Sequence, residues 1–340
     1  MTPFLLNLLC DPVTKEPLEL RNPVYDDRGH IVNGDLTTIN GRVYPIINGI
    51  PRFIDQTAMK PVESFGDQWN YFNFVDFKVN WLEHTVANTF GNPSAFKEKV
   101  IVDAGGGSGS QSRWFAEYGA KHVITLELSH AVDGVIQKNL VDFDNCDIIQ
   151  CSMDAPPLRA QSIEGMIYCH NVIQHTASVE KTANALYGLA APGSELVFNC
   201  YDLNTKGALR WCRFYLVYKP LRVVLSKMPF QIIMAYASVV AMLRLVPLLG
   251  TVLEKMGVVV QGDVPIVADE SRLNRLKRRV KNARLNTFDC YGSHQYQHHK
   301  SHAEIRELVH SLQPDPKKVL NAERYFQRPP PIGCALRVYR

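Results

Sequence analysis

The chain has 340 residues, enough for one large domain or two ordinary ones with a sizeable buried core. With 46% apolar and 21% charged residues it reads as a folded globular protein, which excludes a disordered or fibrous chain. A net charge of +4 is too small by itself to argue nucleic acid or membrane, and eight cysteines without a C-x-x-C pair indicate neither a disulfide framework nor a zinc site.

The opening MTPFLLNLLC has no basic start, and its apolar run is too short for a signal peptide, so a reducing, cytoplasmic setting is expected. Residues 1–55 read as a small β-rich unit. Turns fall near Asp27-Arg28-Gly29 and Asn40-Gly41, and the segment Val43–Pro51 closes it. Residues 56–98 are expected to be helical, with aromatics dense in the stretch 64–72 and again at Trp81. Those aromatics suit core packing, and equally a cover over a cationic ligand, which aromatic faces attract.

The run Val100–Val102 ends in Asp103 and enters a glycine cluster, then a helix over 112–118. Asp103, Gly105, Gly107 and Gly109 fit Asp-x-Gly-x-Gly-x-Gly, a strand-to-helix turn that leaves backbone N–H groups free to meet a ligand closely. The dinucleotide fingerprint fails because Ser110 stands at its last glycine, and the P-loop fails for want of Gly-Lys-Ser/Thr. A second strand, 122–127, ends in Glu127, about two dozen residues after Asp103. A third, 147–151, leads to Met153 and Asp154. A fourth, 165–169, runs into His170, Asn171 and His175, and a helix over 179–191 precedes a fifth strand at 194–201. Histidines at the ends of parallel strands face the ligand crevice and titrate near neutrality.

From Asp103 to the fifth strand the sequence resembles the class I S-adenosylmethionine (SAM) dependent methyltransferases, UbiE-like small-molecule type. The resemblance implies that the helix N-terminus faces the cofactor's carboxylate and that Asp103 takes its amine. It implies further that Glu127 takes the ribose hydroxyls, beside Leu128 and Ser129, and that Asp154 and Met153 hold the adenine. Gly105 and Gly107 would line the site, Gln68, Trp69 and Tyr71 would cover the methionine end, and His170 would border it. The opening around Cys10 and the YPIINGIP segment resemble the zinc-ribbon-like module of methyltransferase activators. Val13, Thr37 and Asn40 stand where that module's other thiols would be, so a metal-free remnant is expected, packing on the catalytic domain or shaping its entrance.

Residues 205–285 depart from that pattern as an insertion. Its first part, 208–227, mixes aromatics with cations, and 230–249 is nearly all apolar but too short to span a membrane. A buried helical lid, a homodimer interface through 205–260, an apolar substrate site and an in-plane membrane contact all remain open, the lid that dimerises or receives an apolar substrate being favoured. Arg272–Arg284 carries no acid and suits a solvated face, a phosphate, an anionic lipid surface or RNA. Thr287–His299 reads as a substrate-facing loop in which Tyr291 and His294 stand out; a metal held by His294, His298 and His299 is the alternative, but no acid or cysteine joins them and none is expected. A helix over 301–312 and two antiparallel strands, one within 318–326 and one over 332–339, are expected to close the chain, with the proline run 329–331 between them.

The expectation is thus an α/β protein with a Rossmann-like, seven-stranded, mostly parallel sheet, in segments 1–55, 56–98, 99–204, 205–285 and 286–340. As a methyltransferase it would act on a hydroxyl or amine of a small-molecule, glycan or lipid-linked acceptor, with His170, His175, Tyr291 and His294 positioning it or removing its proton. An RNA methyltransferase and a non-catalytic SAM-binding assembly protein are the alternatives; nucleic acid is disfavoured because the Asn/Asp-Pro-Pro-Tyr motif is absent after the fourth strand.

Overall fold

The computed structural model describes residues 1–54, 63–203, 205–262, 264, 270–292, 294–315, 317–327, 331 and 333–340. The expected boundary near 55–56 and the start of the last strand at Ile332 lie outside these residues. The chain divides into two compact units, residues 1–202 with 296–340, and residues 203–295.

Among the described residues the first unit is built on one eleven-stranded sheet. After a one-turn helix α1 (Pro3–Leu6), strands β1 (Glu19–Tyr25), β2 (Ile31–Thr37), β3 (Val43–Ile47) and β4 (Ile50–Phe53) form an antiparallel meander. Helical pieces follow: α2 (Glu63–Tyr71), α3 (Lys78–Asn80), a wide turn at Trp81–Val86, and α4 (Ala87–Thr89). Then come β5 (Val100–Ala104), α5 (Ser110–Glu117), β6 (His122–Glu127), α6 (Val135–Leu140), β7 (Cys146–Cys151), β8 (Gly165–Cys169), α7 (Val179–Tyr187) and β9 (Glu195–Phe198). Strands β5 to β9 are parallel and covered on both faces, which is why they read as continuous apolar runs without alternation.

The order β7-β6-β5-β8-β9 reverses direction between β5 and β8, the switch point where an open parallel sheet leaves a crevice at its strand ends. Short strands β10 (Tyr201–Asp202) and β11 (His299–Lys300) pair with each other, and α13 (His302–Ser311), β12 (Val319–Leu320), α14 (Ala322–Phe326) and β13 (Leu336–Tyr339) finish this unit. Helix α13 starts on a capping box, Ser301 with Glu304.

Two expectations need correction. The sheet has eleven strands because the N-terminal meander joins it: β4 lies parallel to β7, Arg52 opposite Gln150 and Phe53 opposite Cys151. And among the described residues after α13 only Val319–Leu320 and Leu336–Tyr339 are strands, paired antiparallel with each other and β13 antiparallel to β9, while residues 322–326 are helical. Buried charge locks these edges. Glu195 accepts from Arg337 at 2.6 Å and Lys99 at 3.0 Å, joining β9 to β13. Asp147 meets His122 at 2.8 Å and the Thr2 amide at 2.8 Å. Burial opposes its ionisation, but these partners outweigh it and hold the carboxyl below its usual range.

The second unit is helical. It comprises α8 (Ala208–Cys212), a wide turn at Arg213–Tyr218, α9 (Lys219–Leu225), α10 (Phe230–Leu243), α11 (Leu249–Met256) and α12 (Arg272–Tyr291). No helix among the described residues is long and apolar enough to cross a membrane.

Candidate functional site

The glycine turn after β5 sits beside the switch point. Gly105, Gly107 and Gly109 have φ of +85°, +58° and +73°, a region that side chains rarely enter. Space forbids side chains as well. A Cβ on Gly105 would come 2.3 Å from Val172 in the loop after β8, and one on Gly107 would come 2.9 Å from the Trp69 indole. The Gly105 and Gly106 amides donate to the Leu126 carbonyl at 2.8 and 3.0 Å, tying the turn to β6.

Asp103 is buried at the end of β5. Its Oδ2 accepts from the Ser112 hydroxyl at 2.6 Å, which in turn accepts from Thr125 at 2.8 Å. Burial pushes the Asp103 carboxyl up to about 7; the Ser112 hydrogen bond opposes the shift and the nearby Glu127 charge adds to it. An acid poised this way gains most from an arriving cation.

Glu127 ends β6 and clamps two loops: it accepts from the Gly107 amide at 3.0 Å and the Ser129 amide at 2.8 Å. Behind Leu128 lies a brace that the sequence did not reveal. Gln150 donates to the Leu128 carbonyl at 3.2 Å and to that of Ser129 at 3.3 Å, and accepts from Arg52 at 2.7 Å. Arg52, buried in β4, also holds Asp133 at 3.2 Å. Strand pairing across 98 residues brings Arg52 there, and no local pattern marks it.

Helix α2 covers the same strand ends. Asn70 accepts from the Val135 amide at 3.2 Å, Trp69 lies on Gly107, and Gln68 is fully buried. Tyr71, read with them as part of the cover, is 54% exposed. Trp81 belongs to the core, stacked on Phe96 at 5.4 Å and donating to the Tyr168 hydroxyl at 3.3 Å. Thus the aromatics before the glycine turn divide between core and site.

After β7, Met153 packs against the core, and the Asp154 carboxylate accepts from the Thr182 hydroxyl of α7. After β8, His170 is buried, with Nε2 3.3 Å from the Gly333 carbonyl; burial pushes it down to about 4, so it is neutral at pH 7. With Nε2–H donating, Nδ1 is the ring's acceptor, and no partner reaches it among the described residues. Asn171 takes φ of +60° and exchanges hydrogen bonds with Asn199 at 2.6 and 2.7 Å. The His175 Nδ1 lies 3.2 Å from the Tyr296 carbonyl, and its ring lies 5.1 Å from Phe65 and 5.4 Å from Tyr201.

The strand ends therefore gather Trp69, Asp103, Gly105, Gly107, Glu127 and Leu128, with the loops of Met153, Asp154, His170 and His175 following from their neighbouring strands. Tyr291 and His294 belong to the second unit. Thr287–Tyr291 complete α12 and form no loop, and the fully buried Tyr291 donates its hydroxyl to the Gly257 carbonyl. His294 is buried 6.2 Å from the Phe288 ring, its carbonyl taking Arg222 at 3.0 Å. In the first unit His298 donates to the Thr176 carbonyl at 3.0 Å. No cluster of three or more His, Cys, Asp or Glu placed to hold a metal occurs among the described residues.

Residues 102–198 match the family model of a methyltransferase domain. Solved structures overlap in part. A SAM-dependent methyltransferase from Mesorhizobium loti is 23% identical over 31% of this chain and 47% of its own, with a TM-score of 0.28. CalS10, a SAM-bound amino pentose methyltransferase of Micromonospora echinaspora, is 18% identical over 33% and 46%, with a TM-score of 0.29. The complex of the Haloferax volcanii Trm112 activator with a methyltransferase is 17% identical over 45% and 67%, with a TM-score of 0.35. The chain thus spans about half the length of the first two. No curated protein matches the sequence.

Proposed function

We propose that this chain is a class I SAM-dependent methyltransferase, of the UbiE-like type, that methylates a hydroxyl or amine of a small-molecule, glycan or lipid-linked acceptor. The match of 102–198 to a methyltransferase domain supports the class. The observation that carries the reading is a buried carboxyl held near neutrality at the mouth of a left-handed glycine turn, with Glu127 bound to that same turn. Such a carboxyl suits a ligand that brings its own ammonium, as an amino-acid cofactor does and a dinucleotide does not.

When bound, the cofactor supplies an electrophilic methyl on a sulfonium. Asp103 takes the ammonium, Glu127 the ribose hydroxyls, and Met153 and Asp154 border the adenine. Trp69 and Gln68 cover the methionine end, where an aromatic face favours positive charge. His170 is too weak a base to hold an acceptor's proton at pH 7, and borders the site as a neutral ring. His175 suits proton removal better: Nδ1–H donating to Tyr296 makes Nε2 the ring's acceptor. Alignment of the acceptor with the methyl supplies most of the rate. Tyr291 and His294 bear on acceptor choice at most through the shape of the second unit.

The N-terminal meander is read as a degenerate zinc-ribbon-like module whose work is structural, extending the sheet and bracing the cofactor loop through Arg52. The test is Glu127→Ala, checked for fold by circular dichroism. SAM binding in the wild type at micromolar concentration, lost by at least about a hundredfold in the variant (two charge-assisted hydrogen bonds at about 1.5 kcal/mol or more each), is expected. A wild type that binds no SAM refutes the reading; one that binds SAM but methylates no hydroxyl or amine acceptor is a non-catalytic binding protein.

A further inference from the structure

The second unit has a charge and surface that set it apart. Residues 203–295 hold fifteen Lys and Arg against five Asp and Glu, a net of +10, which leaves −6 on the rest of the chain. Sixteen of the twenty-five exposed large apolar side chains among the described residues also fall within this quarter of the sequence. A unit that is both strongly cationic and openly aliphatic is poorly served by water.

Helix α10 makes the point residue by residue. It buries Ile233, Met234, Ala237, Val240 and Ala241 within its own unit. Its other face repeats at steps of seven, three and four: Ile232, Val239 and Met242, then Val246 just beyond, are 50%, 57%, 58% and 46% exposed. The stripe continues through Leu248, 83% exposed, into Val252 and Met256 of α11, so a helix apolar all round has water on one side. Arg210, Lys227, Arg272 and Lys277 are exposed and have no ion-pair partner among the described residues. On α12 the exposed Leu273 and Leu276 alternate with those cations.

We propose that this unit docks in the plane of a lipid bilayer rich in anionic headgroups, the aliphatic stripe entering the headgroup boundary and the cations meeting the phosphates. Charge complementarity selects this occupant. A second copy would set another unit of net +10 against this one. RNA would satisfy the cations but leave the aliphatic stripe in water, since single-strand binding relies on stacking against aromatic rings. No described helix is long and apolar enough to cross, which fits an in-plane seat. The proposal stands apart from methyl transfer, because docking is measured without turnover.

The experiment is co-sedimentation of the full chain with vesicles of phosphatidylcholine alone and of three parts phosphatidylcholine to one part phosphatidylglycerol. Binding to the anionic vesicles is expected, weakened at high salt, with little to the neutral ones. The double variant Arg272→Gln/Lys277→Gln should bind about thirtyfold more weakly, at about 1 kcal/mol per cation. Ile232→Ser/Met242→Ser should also release the protein; if that variant melts lower, the charge variant, which disturbs no packed residue, decides alone. Equal binding to both vesicles, or to neither, overturns the proposal. So does a concentration-dependent dimer, or RNA binding, without vesicle binding, either of which gives the face to that other partner.

Discussion

Lowering the pH from 7 to 6 should weaken SAM binding about five- to sixfold, and the reason is Asp103. Its carboxyl titrates at about 7 because burial disfavours the charged form. Only the ionised form pairs with the cofactor's ammonium, which has a pKa near 8 and stays largely charged in this window. The ionised fraction falls from about one half at pH 7 to about one eleventh at pH 6, and apparent affinity falls with the competent fraction, about 1 kcal/mol. Calorimetry at pH 6 in two buffers of different ionisation enthalpy should then report about 0.9 proton released per cofactor bound. Asp103→Asn should bind weakly, with no proton release and no acid limb. Unchanged wild-type affinity between pH 7 and 6, or an acid limb that persists in Asp103→Asn, would refute the assignment of Asp103 to the ammonium.

The same shift bears on stability without cofactor. The folded pKa of Asp103 is raised, so its contribution is full below the unfolded value of about 4 and is lost as pH rises through about 7, up to about 4 kcal/mol. Asp103→Asn should therefore melt above wild type at pH 8, the gap narrowing towards pH 4 in thermal scans. Arg52→Met removes hydrogen bonds to Asp133 and Gln150, and should raise KM for SAM several-fold while kcat holds, with about 2 kcal/mol lost in denaturant unfolding. A kcat that falls with KM unchanged would separate Arg52 from the cofactor loop. Tyr291→Phe leaves the buried Gly257 carbonyl without its donor and should cost about 1 to 2 kcal/mol with turnover intact. Lost turnover in a protein of wild-type stability would instead give Tyr291 a part in acceptor chemistry.

What the sequence could reveal follows from range. The strand ends at Asp103 and Glu127 were legible because a βαβ unit is local: the glycine turn, its helix and the next strand lie within thirty residues, each limiting the others. Arg52 was not, because its partners are set by the parallel pairing of β4 with β7, and a buried arginine in a short apolar strand resembles an edge cation. Trp69 and Trp81 illustrate a second limit. Both stand in helical aromatic stretches, and only the fold sends one to Gly107 and the other to Phe96. The loop expected from Thr287 failed for a third reason: the basic run and the aromatic stretch looked like separate elements, but one helix runs through both and turns its polar half outward and its aromatic half inward.

A chain-wide net of +4 is too small by itself to argue an anionic partner, although it is the sum of +10 on 93 residues and −6 on the other 247. Fields decay over about 10 Å at moderate salt, so a surface responds to the charge of its own unit and not to the chain's total. The unit boundaries near 203 and 295 are set by packing, and no proline-rich or glycine-rich linker announces them. The expected insertion, 205–285, already held both the cations and the apolar run; the fold adds which of the apolar side chains are exposed. Neither is unusual alone: a basic helix is commonly a solvated face, and an apolar helix commonly a buried one. Their coincidence on one unit is what asks for a partner both anionic and oily.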